Sequence, residues 1–198
     1  MNVALRKPMT LQDFLLWEEQ QALRYEFDGV RPVAMTGGTA AHSAIQRNLI
    51  FALTGRLQGK PCQPHGSHLK IQVAGRIRYP DAFVVCTPVP ETATVVTEPV
   101  VIFEILSEST QNDDLLVKNA EYRATSTVAH YVILQQDRAG AFVFSRRGED
   151  WVSELLTSTE AVIALPAIGL LIPLAELYAG LSLDTAPSPA PDGTAAAQ

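Results

Sequence analysis

Cysteine is scarce in this sequence of 198 residues, and so is charge: there are two cysteines, and Asp, Glu, Lys and Arg together make up 18% of the chain. Two cysteines cannot build a disulfide framework, and Cys62 and Cys86 are spaced too widely for the Cys-x-x-Cys pair of a zinc or redox motif. A reducing cytoplasm is therefore the expected compartment. An excess of basic charge is also lacking. Fifteen Lys plus Arg stand against twenty-one Asp plus Glu, a net charge of −6, which excludes a polycation that coats nucleic acid by bulk attraction. An anionic substrate would have to be held by local positive charge or by a metal ion. No signal peptide is legible, because Arg6 and Lys7 are followed by Thr10, Gln12 and Asp13 and not by an apolar block. Residues 161–181 carry a single charge, Glu176, but Pro166, Gly169 and Pro173 divide them into pieces too short to span lipid, so no membrane segment is expected.

What is present is apolar content, 47% of the chain, enough for one compact domain over residues 1–183. Residues 184–198, rich in Pro and Ala, contain nothing large and apolar to offset the entropy of ordering and are expected to form a disordered tail. Within the body, residues 10–23 read as an opening helix, with Thr10 as N-cap and Asp13 at the third helical position. Residues 25–35 read as a hairpin turning at Asp28-Gly29. After Gly37-Gly38, residues 42–57 resume a helical period through Ile45, Leu49, Leu53 and Leu57. Three strands are expected at 68–73, 79–86 and 99–106, a helix at 112–124, and further strands at 129–135, 140–145 and 151–156. The order predicts an α/β sheet with helices packed on its faces.

Two carboxylates stand where the strand patterns do not need them. Asp81 follows Pro80 at the head of Ala82-Phe-Val-Val-Cys86, and Glu104 interrupts Val100-Val-Ile-Phe-Glu-Ile-Leu106. A buried carboxylate requires a proton, a basic partner or a metal. On neighbouring strands, about 4.8 Å apart, the two can converge on one hard cation, Mg²⁺ or Mn²⁺. The alternative reading is structural: Glu104 pairs with Lys118 or an arginine, and Asp81 caps the turn after Pro80.

These residues resemble the signature of the PD-(D/E)XK nuclease superfamily, and more closely the Uma-type restriction endonuclease family. The resemblance is carried by Arg24-Tyr-Glu-Phe-Asp-Gly29, Met35-Thr-Gly-Gly-Thr-Ala-Ala-His42, Arg78-Tyr-Pro-Asp81, Phe103-Glu-Ile-Leu-Ser-Glu-Ser-Thr110, and Asp114, Lys118 and Tyr122 spaced by four. It implies a restriction-endonuclease-like core of helix, three antiparallel strands, helix and strand, with an N-terminal helix and hairpin and extra C-terminal strands. It also implies a metal-dependent endonuclease, an Mg-dependent endodeoxyribonuclease acting on phosphodiester bonds of DNA. Asp81 and Glu104 would be metal ligands, with the main-chain carbonyl of Ile105 as a third. The superfamily lysine is missing, because Leu106 holds its place, and Lys118 is the natural replacement. The alternative for Lys118 is a surface pair with Asp114.

By the same resemblance Glu26 is an extra acidic residue near the metal; otherwise it is an exposed hairpin glutamate. His42 would reach water or the scissile phosphate, or else assists helix capping. His65, His68 and His130 lack ligand spacing and read as structural. Lys70, Arg76, Arg78 and Arg123 are candidates for a local phosphate track. Exposed strand edges in such a sheet predict a homodimer. The competing function is a catalytically inactive fold relative that binds nucleic acid or a protein partner.

Overall fold

A computed structural model describes residues 8–35, 37–106 and 113–182. The expected tail, residues 107–110 of the Phe103 to Thr110 motif and the side chain of Asp114 lie outside the described residues. Thr10 opens helix α1 (Leu11–Glu18) by accepting the backbone N–H of Asp13, as its position predicts. Strands β1 (Tyr25–Phe27) and β2 (Pro32–Ala34) form the expected hairpin. Its loop spans four residues and not two, because Phe27 pairs with Pro32. Asp28 Oδ1 closes that loop by accepting the N–H groups of Val30 and Arg31 at 2.8 Å, with Gly29 at a φ of 95°.

Helix α2 (Ala40–Leu57) is capped by Thr39 and buries Ile45, Leu49, Leu53 and Leu57, the stripe its spacing foretold. It is followed by β3 (Gln63–Gly66), β4 (Lys70–Val73), β5 (Arg76–Arg78), β6 (Ala82–Val85), β7 (Val95–Val96) and β8 (Val101–Ile105). A π-helical turn, Asp113–Lys118, leads into α3 (Asn119–Ala124). Strands β9 (His130–Leu134), β10 (Ala141–Arg147) and β11 (Asp150–Leu156) follow, then a hairpin of β12 (Val162–Leu165) and β13 (Leu170–Pro173), and the short helix α4 (Leu174–Leu177).

A six-stranded sheet in the order β11-β10-β9-β8-β6-β3 is the spine. Strands β3, β6 and β8 are antiparallel, and β9 returns parallel to β8 after α3. Helix, three antiparallel strands, helix and strand is thus the observed core. The first of the three strands is β3, however, and not the segment expected at 68–73, which as β4 joins a second sheet, β2-β1-β5-β4-β7. The N-terminal hairpin also belongs to that second sheet and does not extend the first, whereas β10 and β11 do. Gln63-Pro-His-Gly66 has almost no β-prone apolar content, and its pairing with β6 comes from tertiary context.

Both faces of the six-stranded sheet are covered, so β8 and β9 are buried at every position. One face, with Val101, Phe103 and Ile105, packs on α2, α4 and the β12–β13 hairpin. The other, with Ile102, Phe83 and Ile133, packs on Tyr122 of α3 and on Ile71 and Val73 of β4. Phe14, Phe27, Ile77 and Tyr79 make a separate small core under α1. The segment after Pro173 packs as a short helix, held to α2 by Asn48 donating to the carbonyls of Leu177 and Ala179. No helix among the described residues is long and apolar enough to cross a membrane.

Cys62 and Cys86 are joined in a disulfide, with their Cα atoms 3.9 Å apart. They flank the Gln63–Val85 pair, one step beyond the β3–β6 ladder, so strand register brings together two residues that are 24 apart in sequence. The bridge stands against the expectation of a reducing compartment.

Candidate active site

The β6–β8 register runs Ala82 to Phe103, so one step further Asp81 lies across from Glu104. Asp81 and Glu104 thus sit at the same end of the six-stranded sheet, Asp81 beside α2 through His42 and Gln46 and Glu104 beside Lys118 and Tyr122. Asp81 Oδ2 accepts the backbone N–H of Ile105 at 2.8 Å, which also brings the Ile105 peptide to the site. His42, in the first turn of α2, places Nε2 3.2 Å from the same oxygen. Capping falls to Thr39, whose hydroxyl accepts the His42 backbone N–H, so the His42 imidazole faces the site. One turn on, Gln46 donates to the Asp81 carbonyl at 3.0 Å and to Ser67 Oγ at 3.1 Å. Gln46 was not singled out by sequence, although its i+4 spacing from His42 is a usable signal.

Glu104 is buried and holds Lys118 Nζ at 3.0 Å and the Tyr122 hydroxyl at 2.9 Å, both on Oε1. The end of the π-helical turn and the first turn of α3 thus deliver two donors to one oxygen. Burial, and next the charge of Glu104, push the Tyr122 hydroxyl well above its usual range, which keeps its proton available for donation. The reading of Lys118 as a surface partner of Asp114 does not hold, because the ammonium is buried.

Glu26 is not an exposed hairpin glutamate. It is buried on β1, with Oε1 3.6 Å from Lys118 Nζ and accepting the Tyr79 N–H at 3.0 Å, while Oε2 accepts Arg78 Nη1 at 3.0 Å. Arg78 forks onto Glu121 at 2.8 and 2.7 Å, and Arg76 Nε lies 2.9 Å from the same residue. Alternation along β5 explains this: Ile77 enters the small core, and Arg76 and Arg78 emerge together on the opposite face. Carboxylates and cations alternate from Glu104 through Lys118, Glu26 and Arg78 to Glu121. Burial raises the Glu26 pKa, but Lys118, Arg78 and the Tyr79 N–H outweigh it and hold the carboxyl below its ordinary value.

The expected phosphate track is not formed. Lys70 is buried 2.6 Å from Glu18, Arg76 and Arg78 serve Glu121, and Arg123 lies over the Trp151 ring at 5.7 Å. The strand positions of Lys70 and Arg78 turn them inward, which a count of basic residues cannot reveal. His65 stacks on Phe83, and His130 bonds Ser145 through Nδ1, so both are structural as expected. Among the described residues no group of three His, Cys, Asp or Glu side chains is arranged to hold a metal. The oxygen donors at this end of the sheet, the carboxylates of Asp81 and Glu104, are hard ligands, whose chemistry fits Mg²⁺ or Mn²⁺ and no soft metal.

A cleft of about 600 Å³ opens beside Asp81, between the segment carrying Leu23 and Arg24 and the start of α2.

Known proteins agree with this architecture. A crystal structure of a "putative nuclease belonging to DUF820" from Anabaena variabilis ATCC 29413 superposes with a TM-score of 0.69, covering 86% of this chain and 98% of that one at 17% identity. The uncharacterized protein slr1290 of Synechocystis sp. is 28% identical over 175 residues, which is 86% of this chain and 92% of that protein. Residues 11–175 match the model of the Uma2 family, described as "Putative restriction endonuclease", a match that takes in both carboxylates, Lys118 and Glu26, and the chain belongs to that family.

Proposed function

We propose that the protein is a metal-dependent endonuclease that hydrolyses phosphodiester bonds of DNA. The observation that carries the reading is the placement of Asp81 and Glu104 one step beyond the Ala82–Phe103 pair of β6 and β8, with Lys118 on the second carboxylate. Asp81, Glu104 and the Ile105 carbonyl would hold Mg²⁺ or Mn²⁺. When bound, such an ion lowers the pKa of water and neutralises charge on the phosphate. The chain's own groups do the rest. The Ile105 N–H holds the Asp81 carboxylate, Gln46 donates to the Asp81 carbonyl and, at 3.4 Å, to its Oδ1, and Tyr122 holds Glu104. Lys118 would supply the positive charge that the usual lysine position, Leu106, does not. Glu26 holds Lys118 from the far side. His42, at the mouth of the site, is the group placed to exchange a proton with water or the leaving oxygen.

The outer strands β3 and β11 are open edges of the six-stranded sheet, and this favours a homodimer, which light scattering tests. The proposed location is the cytoplasm, where such DNA is met, and the Cys62–Cys86 bridge is the feature that weighs against it.

A second reading has its own observation. Glu104 and Lys118 are buried and bonded to each other, as in a structural pair of an inactive relative that binds nucleic acid or a protein. Mn²⁺ titration of the wild type and of Asp81→Asn, alongside plasmid nicking, separates the two. The nuclease binds Mn²⁺ and nicks, and the variant does neither; a wild type that neither binds the ion nor nicks leaves the inactive relative.

A further inference from the structure

Asp81 and His42 both line the cleft of about 600 Å³, so whatever occupies it lies beside the proposed point of cleavage. Its lining is chemically mixed. Leu23 and Met35 contribute apolar surface, and Ser43, Ser67 and Gln46 contribute neutral polar groups. Arg24 is the cation, and among the described residues it has no carboxylate partner, its Nη1 donating to the Ser67 carbonyl at 3.1 Å. Two glycines shape the entrance. A Cβ on Gly38 would come within 3.1 Å of the His42 ring, whereas one on Gly37 would meet nothing within 4 Å and would project into open space.

Apolar surface, hydroxyl and amide groups and one guanidinium match the base face, sugar and phosphate of a nucleotide. The volume falls in the range of sites for a single small ligand, roughly 300 to 1,000 Å³. Duplex binding draws its affinity from many phosphates neutralised by Lys and Arg along a surface. Here Lys70, Arg76, Arg78, Lys118 and Arg56 each sit against a carboxylate, and the net charge is −6.

We infer that this cleft holds one unpaired nucleotide of the strand to be cut, its phosphate at Arg24 and its base against Leu23 and Met35, so that the substrate is single-stranded DNA or a single-stranded flap. The inference rests on the nuclease reading for its biological meaning, but binding tests it without cleavage.

The experiment is fluorescence anisotropy with a fluorescein-labelled single-stranded deoxyoligonucleotide and the blunt duplex of the same sequence, in Ca²⁺, using the full chain. The single strand is expected to bind at least about tenfold more tightly than the duplex, a difference of about 1.4 kcal/mol. Gly37→Trp, which fills the cleft, should weaken single-strand binding by about tenfold or more with an unchanged melting temperature. Should Gly37→Trp fail to fold, Arg24→Gln serves: it should weaken binding severalfold and reduce the salt dependence by about one phosphate contact. Equal affinity for duplex and single strand overturns the inference, as does binding insensitive to both substitutions. If the wild type nicks plasmid in Mn²⁺ yet shows either of those results, the cleft assignment falls and the nuclease reading stands. If it binds single strands through a cleft sensitive to Gly37→Trp but never cuts, the cleft assignment stands and the nuclease reading falls.

Discussion

Lys118 Nζ lies 3.0 Å from Glu104 Oε1, so the lysine and the carboxylate that the proposed chemistry assigns to separate tasks are bonded directly to each other. A cation arriving at Glu104 competes with Lys118 for one oxygen, and Glu26 Oε1, 3.6 Å from the ammonium, is the second acceptor already within reach.

Glu104→Gln should abolish Mn²⁺-dependent plasmid nicking. Its stability cost in urea denaturation should be about 1 to 3 kcal/mol, below the roughly 3 to 5 kcal/mol of a fully stranded buried charge, because Glu26 remains beside Lys118. A cost at the upper figure with no cleavage by the wild type would favour the structural pair.

Lys118→Met separates charge from ligation. Calorimetric Mn²⁺ affinity should be kept or increased, since the ammonium no longer competes for Glu104 Oε1, while the nicking rate falls by about 10² or more. Lost metal affinity would count against the proposed roles.

Arg78→Met leaves Glu26 and Glu121 without their shared guanidinium. Arg76 stays 2.9 Å from Glu121 and Lys118 stays 3.6 Å from Glu26, so urea denaturation should show a loss of about 1 to 3 kcal/mol, more than for an exposed arginine such as Arg138.

Acid should weaken the fold partly through Glu26. Its folded pKa is depressed below the ordinary 4.5, so its contribution is fully present above that value and is lost as pH falls through the folded one. The slope of stability against pH below 4.5 should be shallower in Glu26→Gln than in the wild type, as urea midpoints measured down the acid range would show.

Reducing the Cys62–Cys86 bridge, or replacing both residues by serine, should cost up to about 3 kcal/mol, the loop-closure value for a separation of this order. Melting with and without dithiothreitol measures it, and an identical melting temperature would show that the bridge adds nothing.

The sequence was most readable where one residue type had one reason to be in place. Glu104 in an apolar strand and the α2 stripe of Ile45, Leu49 and Leu53 were both legible, because burial and period leave few alternatives. The first core strand was not legible, since Gln63-Pro-His-Gly66 carries no strand signal and takes its conformation from β6. Nor was the chain of buried charges from Glu104 to Glu121. It depends on β1 pairing with β5 and on α3 lying over both, contacts that join residues far apart in sequence. For the same reason Lys70 and Arg78, which look like surface cations in the sequence, are interior ones in the fold.

The small core of Phe14, Phe27, Ile77 and Tyr79 has a kinetic consequence. It belongs to α1 and three-residue strands, and the charge pairs Lys70–Glu18 and Arg78–Glu121 help tie this layer to its surroundings. Such a unit opens by itself far more often than the whole molecule unfolds. Amide protons of Tyr25–Phe27 should therefore exchange with solvent long before those of Val101–Ile105, and each opening carries Glu26 away from Lys118 while the sheet that bears Asp81 and Glu104 stays closed.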